Sequence, residues 1–245
     1  MVRNVDYESR KRAILAATIN RYIQDASAVA SEDIAEEFGL SSATIRNVFA
    51  EMEEEGYLTH PYTSGGRIPT NKGYRYYVDF LVSEMRLLDD EKESILSRYK
   101  KEMRQLEDLL EETSEVVSSV THYASIVSFL DRQDKFFYRG VSFVLEQPEF
   151  QDSTRIRILI RMLEEKRNLL NVINREFKDK TAVYIGEELG LNEMQEYALV
   201  VSRYSLKDNP CGRIAVLGPM RMEYRHIIPA LEYVSEVLSE ALNRI

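Results

Sequence analysis

Between residues 8 and 73 the chain carries an order of signals that few folds accommodate. Residues 8–24, ESRKRAILAATINRYIQ, place Ile14, Leu15, Thr18, Ile19, Tyr22 and Ile23 at helical spacing. A short break, DASAVA, follows. Ser31 before EDIAEEF then predicts an N-cap with acids in the first turn. Gly39 ends this second helix, and Leu40 and Ser41 make a tight turn. Ser41 caps a third helix, SATIRNVFAEMEEE, which stops at Gly56. Residues 57–60 and 67–70, on either side of Ser64-Gly65-Gly66, predict a two-stranded hairpin. Three helices, a tight turn between the last two and a hairpin describe a winged helix-turn-helix. The third helix would read a groove and the hairpin would be the wing.

Charge is distributed to match. The 245-residue chain is acidic, with a formal net charge of −9. Residues 1–79 are acidic too, with nine Lys/Arg against twelve Asp/Glu. Yet no acid occurs from Phe38 to Ala50 or from Gly56 to Val78, and these windows hold Arg46, Arg67, Lys72 and Arg75. A phosphate backbone repels carboxylates, so a DNA-facing surface must be cleared of them locally whatever the total charge. On the third helix Ser42, Ala43, Arg46, Asn47 and Ala50 share one face, and Ile45, Val48, Phe49 and Met52 share the apolar one. Arg and Asn are the side chains that read guanine and adenine edges. Gly65-Gly66 would let the wing backbone approach DNA closely, with Arg67 reaching toward the minor groove. Lys72 and Arg75 are expected as phosphate contacts. The alternative for each residue alone is a solvated surface. Tyr74, Tyr76 and Tyr77 are expected in packing.

Beyond this domain, 74–88 predicts a helix and 89–121 a long amphipathic one. In the latter Leu96, Tyr99, Met103, Leu106, Leu110, Thr113, Val117 and Val120 recur at spacings of three and four. That seam fits either packing on the chain's own domain or a dimer contact. Strands are expected at 124–130, 136–144, 182–185, 197–204 and 213–217, with helices at 152–177 and 222–244 and a turn at 208–212. This is an α+β pattern. The expected domains are 1–79 (winged helix), 80–121 (helical linker with the possible seam) and 122–245 (α+β).

Other function classes find little support. The single cysteine, Cys211, excludes an intramolecular disulfide, and the three histidines are far apart in sequence, so no metal or cofactor is expected. No nucleophile-elbow, Walker or dinucleotide motif occurs, so no enzyme is expected. The absence of a long apolar run or a signal-type N-terminus gives a cytoplasmic expectation without a membrane partner.

The string LSSATIRNVFAEMEEEGYLTHPYTSGGRIPTNKGYRYYVD, residues 40–79, strongly resembles the winged-helix region of the HrcA family of bacterial heat-inducible transcription repressors. LEQPEFQD at 145–152 and the long match at 185–238, including VLGPMRMEY, resemble its C-terminal part. The resemblance implies a winged helix followed by a GAF-like domain carrying an inserted dimerising domain. It implies a homodimer on an inverted-repeat operator, CIRCE, upstream of chaperone genes, with the GroE chaperonin keeping the repressor active. By position it implies a DNA-facing set of Ser42, Thr44, Arg46, Asn47, Thr63, Ser64, Gly65, Arg67, Thr70, Lys72 and Arg75. Ser42 stands where the family usually has Pro, and Val48 where it usually has Asp. After YASIVSFLD the chain passes almost directly to KFFYRGVSFVLEQPEF, so the insertion is expected to be missing. The seam residues Leu96, Tyr99, Met103, Leu106, Leu110, Val117 and Val120 then become the candidate dimer contact. The alternatives are a winged-helix protein-interaction module and a ligand-responsive repressor using the GAF-like domain.

Overall fold

The apolar stripe predicted over residues 8–24 is the inner face of helix α1, Val2–Asp25, in which Ile14, Leu15, Thr18 and Ile19 are buried. The computed structural model describes residues 2–61, 66–81, 88–99, 106–130, 136–207 and 209–244. The chain divides into two compact units, Met1–Ser83 and Glu84–Ile245.

In the first unit α1 packs on α2 (Ser31–Phe38) and α4 (Asn71–Leu81). Ser31 is not the cap: Ala30 occupies that position without a side-chain bond, and Ser31 lies one residue inside, buried. Gly39 is in the left-handed conformation, φ 61°, and the Leu40 amide donates to the Ala35 carbonyl at 3.0 Å, which closes α2 sharply. Ser41 caps α3 (Ser42–Glu54) as expected, its hydroxyl oxygen accepting from the Thr44 amide at 3.1 Å. Ile45, Val48, Phe49 and Met52 are the buried face of α3. Strands β1 (Leu58–Thr59) and β2 (Ile68–Pro69) pair antiparallel, Leu58 with Pro69 and Thr59 with Ile68. Val29, in the α1–α2 loop, makes a separate antiparallel bridge to Arg67, just before β2.

The second unit is a five-stranded antiparallel sheet in the order β4-β3-β7-β6-β5. Its strands are β3 (Ala124–Phe129), β4 (Phe136–Arg139), β5 (Thr181–Ile185), β6 (Tyr197–Leu206) and β7 (Asn209–Pro219). Strand alternation splits the sheet's residues between two faces. Ala124, Ile126, Leu199, Val201, Ala215 and Leu217 enter a core with residues of α7 (Val141–Leu145), α8 (Ser153–Glu164) and α9 (Lys166–Ile173). On the other face Ser125 bonds to the Ser114 carbonyl of α6 (Leu106–Thr121), and Ser202 to Ser235 of α10 (Tyr224–Leu242) at 3.1 Å. Helices therefore cover both faces.

Three boundaries differ from the sequence reading. The strand expected over 136–144 ends at Arg139, where Gly140 turns left-handed and α7 begins. The helix expected over 152–177 starts with Asp152 as N-cap, breaks at Glu165, where ψ is 52°, and ends at Ile173. The turn expected at 208–212 lies earlier. Lys207 has φ 50°, β7 already runs from Asn209, and the pairing shifts register between Tyr204 and Ser205.

The segment expected as a linker belongs, from residue 89 on, to the second unit. Helix α5 (Asp89–Tyr99) rests on α10, with His226 Nε2 2.9 Å from Glu91 Oε1 and the Tyr233 hydroxyl donating to the Lys92 carbonyl at 3.4 Å. Among the seam positions, Leu110 and Val117 are buried by the unit's own α10 and sheet, and Val120 is half-buried. Leu110 and Val117, covered within the chain, have nothing left for a partner copy. Leu96 and Leu106 remain exposed at 36% and 38%, and Ile95, which the seam omitted, is buried at 1%. Tyr99 ends α5, and Met103 lies outside the described residues.

Candidate nucleic-acid interface

The face of α3 opposite its core side is open. Ala43, Thr44, Arg46, Asn47 and Ala50 are exposed and Ser42 is half-buried. The Arg46 Nε donates to the Ser42 carbonyl at 3.3 Å, which holds the exposed guanidinium against its own helix. No acidic residue lies in the first turn of α3. The N-terminal half of the helix thus presents backbone amides, a guanidinium and a carboxamide with no carboxylate among them, which suits a phosphate and base-edge partner.

The C-terminal half of α3 is the reverse. Glu51, Glu53, Glu54 and Glu55 crowd a helix end whose dipole already disfavours negative charge. Side chains from other elements answer three of them, Glu51, Glu53 and Glu55. Lys11 of α1 sits 2.6 Å from Glu55 and 3.3 Å from Glu51, with Tyr7 donating to Glu51 at 2.8 Å. Burial alone lowers the pKa of Lys11, but hydrogen bonds and charge from Glu55 and Glu51 outweigh it, so the ammonium is held above its usual value. Arg67 Nη2 lies 2.9 Å from Glu53, whose other oxygen meets His60 Nδ1. The Lys72 ammonium donates to the Glu55 carbonyl at 2.7 Å and lies over the Tyr57 ring.

The sequence-derived set therefore separates by position. Ser42, Thr44, Arg46 and Asn47 come together on the N-terminal half of α3. Thr70 is a hinge-pin of the fold: its hydroxyl donates to the Gly56 carbonyl at 2.6 Å and accepts from the Gly73 amide at 3.1 Å. Lys72 is anchored at Glu55, nine residues and so about 13 Å along the axis from Arg46. Arg75 pairs with Asp79 at 3.4 Å one turn on. Arg67 is engaged by Glu53 and its backbone by Val29, with both amide–carbonyl distances 2.9 Å. Thr63, Ser64 and Gly65 lie outside the described residues. Gly66 serves an internal close approach: a Cβ there would lie 2.7 Å from the Ala28 side chain and 2.9 Å from its backbone. Sequence reasoning missed Lys11, Glu53 and Val29. The signal for Lys11 was present, since a run of glutamates at a helix C-terminus calls for cations from elsewhere.

Comparison with known proteins bears on both units. Residues 7–79 match the family model described as the winged helix-turn-helix transcription repressor, HrcA DNA-binding, and residues 128–228 match the HrcA protein C-terminal domain. The chain is 29% identical to the heat-inducible transcription repressor HrcA of Geobacter sulfurreducens, over 97% of this chain and 98% of that protein. It is 27% identical to that of Desulforamulus reducens, over 97% and 98%. The first alignment spans 337 positions against a chain of 245, so at least 92 of them face a gap here. A crystal structure described as that of a hypothetical protein shares the fold, with a TM-score of 0.80, 18% identity, and 96% and 98% of the two chains covered. A DNA-binding model over the first unit and a C-terminal model of the same family over most of the second, in one chain and in order, place this protein in the HrcA family.

Proposed function

We propose that this protein is a transcription repressor that binds the family's inverted-repeat CIRCE operator upstream of chaperone genes as a homodimer, in the cytoplasm. The observation that carries the reading is the division of α3. Its N-terminal half is free of carboxylates and exposes Arg46 and Asn47, while Glu51, Glu53 and Glu55 of its C-terminal end are held by Lys11, Arg67 and His60. In this reading the exposed half enters the major groove, Arg46 and Asn47 contact base edges, and Ser42 and Thr44 approach phosphate. Among the described residues no helix is long and apolar enough to cross a membrane.

One winged helix has limited affinity, and two-fold symmetric sites are read by dimers. Leu96 and Leu106 are the seam residues still exposed to a second copy. The proposal is tested by titrating the chain against a full inverted repeat and against a single half-site. Two chains per full repeat, with affinity well above that for the half-site, are expected. Equal affinity for both would remove the dimer. The family resemblance adds GroE as a partner, and its test is loss of operator binding on mild heating with recovery on adding chaperonin. Binding indifferent to both would remove that part.

A further inference from the structure

We infer that Glu53 is a positioning residue for DNA binding: it braces the root of the wing against the recognition helix through Arg67 and His60. The inference rests on the DNA-binding reading above. Glu53 lies on α3, one residue past the buried Met52, and its side chain is 27% exposed. One carboxylate oxygen is 2.9 Å from Arg67 Nη2, just before β2, and the other meets His60 Nδ1, just after β1. A single carboxylate therefore ties both arms of the hairpin, at the points where they leave their two paired residues, to the helix that reads the groove. The same root is fixed on its other side. Arg67 exchanges two backbone hydrogen bonds with Val29, and Gly66 packs directly on Ala28. A two-rung hairpin has little stability of its own, so these ties decide the angle between wing and helix.

This assignment reverses the sign that plain electrostatics gives. A carboxylate near a phosphate backbone repels it, so neutralising Glu53 as a bystander would tighten binding to any duplex. Neutralising it as a brace releases the wing, and the cost falls on specific binding, which needs helix and wing in register together. It also changes the role of Arg67. In the free protein that guanidinium is turned toward Glu53, with its side chain 22% exposed, and it acts through the carboxylate rather than as a free groove-reaching group.

The test is operator and scrambled-duplex affinity for native protein, Glu53→Gln, Arg67→Gln and the double variant, with melting temperature alongside. The brace predicts that Glu53→Gln loses about tenfold in operator affinity at an unchanged melting temperature, while the scrambled duplex binds as well or better. It further predicts that the double variant is no worse than Glu53→Gln alone, because that substitution already removes the contact with Arg67. Glu53→Gln binding the operator as tightly as native, or more tightly, overturns the inference. So do additive losses in the double variant. If Glu53→Gln itself melts early, Arg67→Gln and His60→Gln release the brace from the hairpin side, and full operator affinity in both would overturn it equally. Native protein that fails to distinguish operator from scrambled duplex would instead sink the DNA-binding reading, a result separable from all of these.

Discussion

Arg46 is the residue on which sequence and structure agree most closely. Helical spacing puts it away from Ile45, Val48 and Phe49, and the structure leaves it exposed on the half of α3 that carries no carboxylate. Arg46→Ala is expected to cost ~1–3 kcal/mol of specific binding and to relax base preference at one position. Full operator affinity in that variant would mean that α3 is not the reader. Lys72 and Arg67 follow from the same logic of charge and position, Thr70 from the family resemblance alone, and the structure gives all three internal partners. Sequence shows that a cation is present, but its first partner is set by what folding brings near. For Lys72 that is the Glu55 carbonyl at the end of α3, a contact between residues 17 apart that no periodicity signals.

At the scale of elements, helices with a one-sided apolar stripe and a local cap were legible. Helix α3 and its Ser41 cap are found as expected, and so is the β1–β2 hairpin. Boundaries set by tertiary contacts were not. The break between α8 and α9 at Glu165 has no Gly or Pro to mark it, and only the polar run 164–168, EEKRN, between Leu163 and Leu169 signals it. The heptad spacing of α6 is real, but a seam of that period serves an intramolecular neighbour as well as a partner copy, and here α10 occupies it. Two segments singled out by family resemblance also meet. Arg221, after β7, pairs with Glu149 in the segment 145–152, and its Nη2 donates to Gln147 Oε1 at 2.8 Å and Glu149 Oε2 at 3.1 Å. The guanidinium is buried while Glu149 is partly open. Arg221→Met should therefore lower stability by about 1.5–3 kcal/mol, the worth of a hydrogen bond to a charged group. Urea unfolding of the variant checks this, and an unshifted midpoint would show that the junction contributes nothing.

For the whole molecule, the total charge of −9 says little about function, and the local sorting of acids says much. The second unit is held by a sheet with both faces covered, and its buried phenols give it an alkaline limit. Burial raises the pKa of Tyr204, whose hydroxyl donates to the Ser128 carbonyl at 3.0 Å, and likewise that of Tyr197. The folded state then keeps protons that unfolded phenols release above about pH 10. This contribution is fully present below that pH and is lost as pH rises above it. Tyrosinate absorbance should include a component that appears only with loss of the folded circular dichroism signal. Full ionisation of all tyrosines in still-folded protein would contradict the packing described.

The central claim is that the exposed half of α3 makes this chain a sequence-specific DNA-binding protein. The most direct measurement is fluorescence anisotropy of a labelled CIRCE-type inverted repeat and of a scrambled duplex, each titrated with the full chain at two salt concentrations. The account predicts that both affinities fall with salt, because phosphate contacts release counterions, while the preference for the inverted repeat persists. Folded protein that binds both duplexes equally, or neither, would contradict it.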